Sequence, residues 1–538
     1  MTGRLSDNKF ETPVIIGNES SFENASVTAV GEQSESPMEV KLIPENYGEE
    51  EEAYGFSYLR QDTYKTFPKK TTNGRDSPPI KKFKGKLWPQ VYASFAANMG
   101  SMALGTVVAW TATALPDMRK SEAWKTLDPS QESWIGSIMT LGAAVSCPVA
   151  GFGIERFGRR MSMLLLTLPF LAGWSAIYFA QNIPMIYTGR FLTGFCGGAF
   201  SIAVPVFITE TADVRIRGAL GSGFELLLTI GILYILLIGT FVPWDVQALA
   251  CGVLPIIFHG LMLFAPESPR FLVERGKEPE ASKALKWLRG AGTVDEVGPE
   301  LLELKKSVAD SRARKGTWRD LFSMSVIKPT SIGLALMFFQ QMSGIDAITL
   351  YTVDIFKSAG SDIDEHLSAS IFGVAQVVAT LIAALVVDRC GRRLLLLISS
   401  FFMALSLGMM GLYFYLKLQN GGVPPENLSW LPLSSLTVYI LSFSTGLGPI
   451  PWLMLAELIP SQVKGLAAGS VIISRWLLGF IVTLEFHSLM GILGEHGGFW
   501  FFASFCFIGT IYIYLFVPET KGKSLDEIQR DFQSPRAP

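Results

Sequence analysis

The stretch ERFGRR (Glu155–Arg160) returns as DRCGRR (Asp388–Arg393), and it does not return alone. ETADVRIRG (Glu210–Gly218) is matched by ELIPSQVKG (Glu457–Gly465), and PESPR (Pro266–Arg270) by PETKG (Pro518–Gly522). The copies keep their order while their separation grows, as it would if the loops between them differed in length. Each copy follows a long apolar run. Twelve runs can be read, at 91–115, 133–153, 161–180, 184–208, 218–240, 246–265, 330–356, 365–387, 394–416, 433–456, 466–493 and 498–517. About 20 apolar residues suffice to cross roughly 30 Å of hydrocarbon. The motifs fall after the second, fourth and sixth run of each set. The chain therefore reads as an all-α integral membrane protein of twelve transmembrane helices in two six-helix halves. Internally repeated spans are a transporter architecture, with the substrate site between the halves near mid-membrane.

Composition agrees. Of 538 residues, 49% are apolar and only 17% charged, against about 25% charged in an average soluble domain. A net charge of −2 gives no reason to expect nucleic acid as a partner. The cysteines, Cys147, Cys196, Cys251, Cys390 and Cys506, show neither metal-ligand nor disulfide-framework spacing. No P-loop, dinucleotide fingerprint or nucleophile–base motif is present, which argues against ATP-driven transport, catalysis and a cofactor. His259 and His487 lack metal spacing, so no metal is expected.

Residues 1–86 are polar, include the acidic run GEEEEAYG (Gly48–Gly55), and read as a disordered tail with no secretory signal. The tail ends in KKFKGK (Lys81–Lys86), a basic cluster against the first run. The expected halves are 87–265 and 330–517. Between them, 266–329 has helical periodicity that puts Ala281, Leu285 and Leu288 on one face; 518–538 is a C-terminal tail. Basic residues crowd alternate loops: Arg156, Arg159 and Arg160, then Arg215 and Arg217, thirteen Lys/Arg in 266–329, and Arg389, Arg392 and Arg393. The positive-inside rule then puts both termini in the cytoplasm. Asn427-Leu428-Ser429, in an outer loop, is a glycosylation sequon.

The motifs resemble those of the sugar porter family of the major facilitator superfamily over about residues 88–530. They are GRF (189–191), Glu210 with Arg217-Gly218, PESPR, QQMSGI (Gln340–Ile345), DRCGRR, GPIPW (Gly448–Trp452) and PETKGKS (Pro518–Ser524). Within that family the chain is most similar to insect facilitated trehalose and hexose transporters. The resemblance implies a major facilitator fold, a small-molecule sugar as partner within a lipid bilayer, a place in the plasma membrane, and no enzymatic activity.

It also implies a gating network. Glu155, Glu210, Glu267, Asp388, Glu457 and Glu519 lie near Arg156, Arg160, Arg190, Arg217, Arg270, Arg389, Arg393 and Lys464 in sequence, at what reads as the inner ends of the spans. Such pairs can latch one of two packings of similar free energy; singly each is worth only about 0–1 kcal/mol. Lys464 stands where Arg is usual, and lysine cannot make the two-pronged contact.

Sugar recognition needs fixed amides and an aromatic face. Gln340, Gln341, Gln376, Trp452 and Trp476 are the candidates, with Thr349 and Tyr351 toward an outer gate. On a straight helix Asp346 would sit ~120° away from Gln340, but Gly344 could break the helix and turn Asp346 inward. The chain departs from the family at Glu225, Asp346, Ser444 and Arg475, and Glu485 is a further acid in the eleventh run. Intramembrane charges are functional hypotheses. Three readings stay open: Arg475 pairs with Asp346 or Glu225 in a structural lattice; an unpaired carboxylate carries a proton with the sugar; or the charges bind something other than a plain hexose. The function expected is sugar passage by alternating access as facilitated uniport, with proton symport or a sugar sensor as alternatives.

Overall fold

A computed structural model describes residues 85–538 apart from 123, 314–319, 321–322, 361–362, 426, 461–462, 522, 524–526, 529–531 and 533–538. The tail expected over 1–86 lies almost wholly outside the described residues, as do the side chains of Asp388 and Lys464.

Six unbroken helices come first: α1 (Trp88–Met118), α2 (Pro129–Arg156), α3 (Arg159–Tyr178), α4 (Ile183–Thr211), α5 (Arg217–Ile238) and α6 (Trp244–Leu263). Short polar helices follow, α7 (Pro269–Glu274), α8 (Glu278–Arg289) and α9 (Gly298–Ala313). The second set is α10 (Met324–Met342), α11 (Ile345–Leu350), α12 (Thr352–Ala359), α13 (Glu365–Cys390), α14 (Arg392–Gln419), α15 (Leu431–Thr445), α16 (Ile450–Leu458) and α17 (Lys464–Phe516). Among the described residues ten helices are long and apolar enough to cross a membrane, yet the twelve runs are all present. The seventh is cut into α10, α11 and α12, and the last two share α17, whose helical path is interrupted at Gly494 (φ 73°, ψ 161°).

Caps fix several starts. The Asn182 side chain accepts from the Met185 N–H at 3.1 Å, and Asp364 accepts from the N–H groups of His366 and Leu367, both at 3.0 Å. These satisfy donors that the first turn cannot pair internally. In lipid, helix association relies on close packing rather than on hydrophobic burial, which favours small residues at crossings. A Cβ on Gly105 would lie 2.0 Å from the Leu228 carbonyl oxygen, so α1 and α5 meet backbone to backbone.

We call the end of the bundle where α1 begins and α17 ends the base, and the opposite end the mouth. The sequence repeat has a structural counterpart at the base. Gly158 and Gly391 adopt φ 98° and 91°, directly before α3 and α14. The Glu267 carboxylate accepts from the backbone N–H groups of Arg159 (3.0 Å), Arg160 (3.0 Å) and Ser268 (2.8 Å). Glu519 does the same for Arg392 (3.0 Å), Arg393 (3.1 Å) and Lys521 (2.9 Å). Each carboxylate thus caps the first turn of one helix, α3 or α14, where the helix dipole favours negative charge. Partial burial pushes the Glu519 carboxyl up, but these backbone donors outweigh it and hold it below the usual range. The α8 periodicity is realised too: Ala281, Leu285 and Leu288 are all buried.

Candidate functional site

A cavity of about 80 Å³ lies between the halves, lined on one side by Leu104, Phe224 and Glu225 and on the other by Gln340, Asp346, Gln376, Trp452, Arg475 and Trp476. Its position follows from two helix breaks. After α10 ends, Gly344 takes φ 83°, a conformation that side chains other than glycine avoid. Its missing Cβ would also sit 3.0 Å from the Phe502 ring. The break brings Asp346 to the cavity beside the glutamines. The second break, between α15 and α16, exposes the carbonyls of Leu447 and Gly448, and Gln340 Nε2 donates to both, at 2.8 and 2.9 Å.

The amide orientations are forced by chemistry. Carbonyls and carboxylates only accept, so Nε2 of each glutamine must face them. Gln341 Nε2 donates to Asp346 Oδ2 at 2.7 Å. Arg475 Nη2 donates to Asp346 Oδ1 at 3.3 Å. This leaves Oε1 of Gln340 and of Gln341, both buried, without a protein partner among the described residues. Gln376 Oε1, Trp476 Nε1 and Arg475 Nε and Nη1 are in the same position. The Arg475 guanidinium lies over the rings of Trp476 (4.1 Å) and Trp452 (5.9 Å), which fixes it in place. A buried polar atom without a partner costs free energy, so these atoms can bond a ligand or ordered water that enters the cavity.

Of the departing charges, Asp346 and Arg475 form the pair that the first reading required. Glu225 lines the cavity but has no ion pair among the described residues. Ser444 is buried with an unpartnered hydroxyl. Glu485 is elsewhere, on the exposed face of α17 that also carries Leu477, Ile481 and Ile492.

The mouth is closed over this cavity. Thr349 lines the cavity itself, and Tyr351 lies above it, 1% exposed. The Tyr351 ring stacks on Phe486 (5.2 Å) and meets His487 edge-on (4.4 Å). Ser133 reaches His487 Nδ1 at 3.4 Å, and Trp134 meets Phe480, so α2 seals against α17. At the rim, Arg119 binds Glu132 (2.6 Å) and, across the halves, Asp354 (2.8 Å). None of these three was singled out from sequence, although an Arg with two acids at sparsely charged span ends was a readable signal. Arg119 also lines a wider vestibule of about 450 Å³ with Asp354, Lys357 and His487. Asp354→Asn is expected to favour the open mouth about fivefold, since a partly exposed pair contributes up to about 1 kcal/mol. Labelling of a cysteine placed behind Tyr351 measures this; unchanged labelling would show the pair to be idle.

At the base, the expected network is present but arranged differently. Among the described residues no ion pair there joins one half to the other; each lies within a half or involves the linker. Arg159, rather than Arg160, pairs with Glu210 (2.8 Å) and Glu274 (3.7 Å). Arg392, rather than Arg393, pairs with Glu457 (3.2 Å). In each doublet the second arginine instead caps carbonyls: Arg160 those of Met262 and Leu263, Arg393 that of Tyr514. Helix geometry explains the choice, because the first residue of α3 or α14 points across to the neighbouring helix end and the next is rotated ~100° away. Glu155, Arg156 and Arg389 are exposed, and Arg217 donates to the Ala212 carbonyl. Arg270 pairs with Glu274 at 3.1 Å.

Arg190 is a correction. It does not belong to the base: α4 starts at the mouth, and Arg190 lies near that start. It is fully buried and donates to the carbonyls of Ile135 (3.1 Å) and Val107 (2.7 Å) and to the Thr111 hydroxyl (2.9 Å). The expectation of ion pairs joining the halves at the base is likewise not met in this conformation. At the base, Cβ atoms on Gly218, Gly221, Gly465 and Gly469 would meet nothing within 4 Å, so these helix starts are not packed against a neighbour.

Two repeated six-span halves, sealed at one end and enclosing a polar cavity at their interface, have the major facilitator fold. The chain belongs to the sugar (and other) transporter family, which matches residues 93–532. It is 43% identical over 447 residues to a facilitated trehalose transporter of Polypedilum vanderplanki, covering 82% of this chain and 88% of that one. It is 41% identical over 476 residues to the transporter of that name from Drosophila mojavensis, covering 88% of this chain and 54% of that one. The chain thus spans about half the length of several relatives it matches. Among solved structures, the proton:xylose symporter XylE bound to 6-bromo-6-deoxy-D-glucose aligns with a TM-score of 0.69 at 23% identity, over 83% of this chain and all of that one. A partially occluded inward open conformation of XylE from E. coli gives 0.69 at 21%, over 81% and 99%. These two support the fold.

Proposed function

We propose that the protein carries a hexose or a disaccharide such as trehalose across a bilayer by alternating access, as a facilitated uniporter. The observation that carries this reading is Gln340 Oε1, held in the cavity wall without a partner among the described residues by a chemically forced amide orientation, with Gln341 Oε1 likewise buried and unpartnered beside it. Sugar hydroxyls would donate to them, and Trp452 and Trp476 offer faces for C–H surfaces. The cavity is smaller than the roughly 300–1,000 Å³ of typical ligand sites, so the halves must part to admit a sugar. The trehalose transporters among the relatives favour that disaccharide as the first substrate to test. In proteoliposomes, Gln341→Ala is expected to reduce uptake at least tenfold, about the effect of losing one buried hydrogen-bonding group. Undiminished uptake would remove Gln341 from the site. Robust counterflow would argue against a sensor.

Uniport is supported by the state of the buried charges. Arg190 is satisfied by neutral oxygens, both Asp346 oxygens are engaged, and α1 carries no acid before Asp117. Glu225 favours the second reading, proton symport, because it is a cavity carboxylate with no bonded partner. Sugar accumulation driven by a pH gradient would establish symport and overturn uniport.

By charge, the base faces the cytoplasm, with the expected halves 87–265 and 330–517 on either side of the linker. The mouth, with exposed Asn427 as its glycosylation site, faces outward, in the plasma membrane. When the base closes, the clusters around Arg159–Glu210 and Arg392–Glu457 would approach each other and latch the opposite conformation.

A further inference from the structure

We propose that Glu225 makes the cavity charge-selective: it accepts neutral polyols and amino sugars and rejects hexuronates. The inference rests on the sugar-transport reading and adds to it the charge class of the substrate. The cavity wall holds three charged groups, Glu225, Asp346 and Arg475. A guanidinium in such a site invites the opposite expectation, that it binds a carboxylate ligand in two-pronged fashion. Its charge is already answered, although Arg475 Nε and Nη1 have no bonded partner among the described residues. Arg475 Nη2 is engaged with Asp346 Oδ1, and Gln341 Nε2 holds the other carboxylate oxygen at 2.7 Å, so the cation is compensated before any ligand arrives. Glu225 is then the surplus charge.

The uncharged groups offer both acceptors and a donor, Trp476 Nε1. The forced orientations of Gln340 and Gln341 present oxygens, and Gln376 Oε1 is also without a partner. Of these, Gln340 and Gln376 line the cavity with Glu225, opposite the unpartnered donors Arg475 Nε and Nη1 and Trp476 Nε1, so the surplus negative charge rather than the hydrogen-bond tally sets the preference. A polyol answers the acceptors by donating from its hydroxyls, and an ammonium group donates three times and neutralises Glu225. A hexuronate brings a further acceptor-only group and a second negative charge into a site of low dielectric, where like charges repel strongly.

The experiment uses the full chain in proteoliposomes and counterflow of labelled trehalose or glucose, with glucosamine and glucuronate as competitors at about pH 6, where an amine is protonated. Glucosamine is expected to inhibit at least about tenfold more potently than glucuronate, since a unit charge a few ångströms away exceeds that effect even when well screened. Glu225→Gln should shrink this ratio about tenfold, and Glu225→Asp should keep it. Each variant is compared with itself through the ratio, so a lower overall rate does not affect the reading. An unchanged ratio in Glu225→Gln, or glucuronate matching glucosamine in the unmodified protein, overturns the proposal. Counterflow that distinguishes no charge sinks only the selectivity, whereas absent counterflow of every neutral sugar sinks the transport reading.

Discussion

Arg475→Gln and Asp346→Asn are each expected to abolish sugar uptake and lower the melting temperature of the detergent-solubilised protein, and the double substitution to recover most of the loss. Both side chains of this pair are nearly buried, at 12% and 10% exposure. Removing one partner of such a pair strands the other charge, at roughly 3–5 kcal/mol. Without Arg475, the Asp346 carboxylate keeps only Gln341 as a donor. Without the carboxylate, Arg475 keeps its contacts with Trp452 and Trp476 but no anion. The double variant replaces the pair by two amides that can bond each other, so the coupling should be about 2 kcal/mol or more. Melting curves of the four proteins provide the cycle. Additive losses would mean that the two residues act separately and that the pair does not organise the site.

Gly136→Val is the second large effect, and it separates binding from transport. A Cβ at Gly136 would lie 2.6 Å from the Tyr351 hydroxyl oxygen. That ring cannot swing aside, because Phe486 and His487 hold it on two faces. The added side chain therefore opposes closure of the mouth while leaving the cavity wall untouched. Uptake should fall at least about 100-fold, the scale on which a clash of several kcal/mol empties a conformational state. Sugar binding in detergent should persist, and a cysteine behind Tyr351 should become fully reactive. Removing the obstructing ring by Tyr351→Ala in the same chain should restore part of the uptake. Uptake close to that of the unmodified protein would show that α2 and Tyr351 do not meet during transport.

Much of this molecule could be read in advance because the relevant physics is local. An apolar run of span length has few alternatives in a bilayer, where every backbone group must be bonded within its helix. The twelve spans followed from that, and the repeat around ERFGRR and DRCGRR gave the two halves. Gly344 was legible as a break because a glycine inside an otherwise helical run with a charge beyond it calls for one. The base was less legible. Sequence places Arg159 and Arg160 side by side, and only the rotation between adjacent helical positions assigns one to Glu210 and the other to carbonyls. Arg190 was misplaced because it was grouped with the basic residues of the base, although it stands near the start of the fourth run, at the mouth. The Arg119–Asp354 contact joins residues from different halves, and no periodicity links them.

By itself, then, the sequence determined the spans, their repeat, the helix break at Gly344 and the amides that face the cavity, since each depends on residues close together in the chain. Tertiary structure alone decided that Asp346 is compensated by Arg475 while Glu225 has no ion pair among the described residues, and that the mouth rather than the base is sealed. Those outcomes depend on which half meets which, and electrostatic pairing in a low-dielectric interior is set by ångström distances that a linear pattern does not contain.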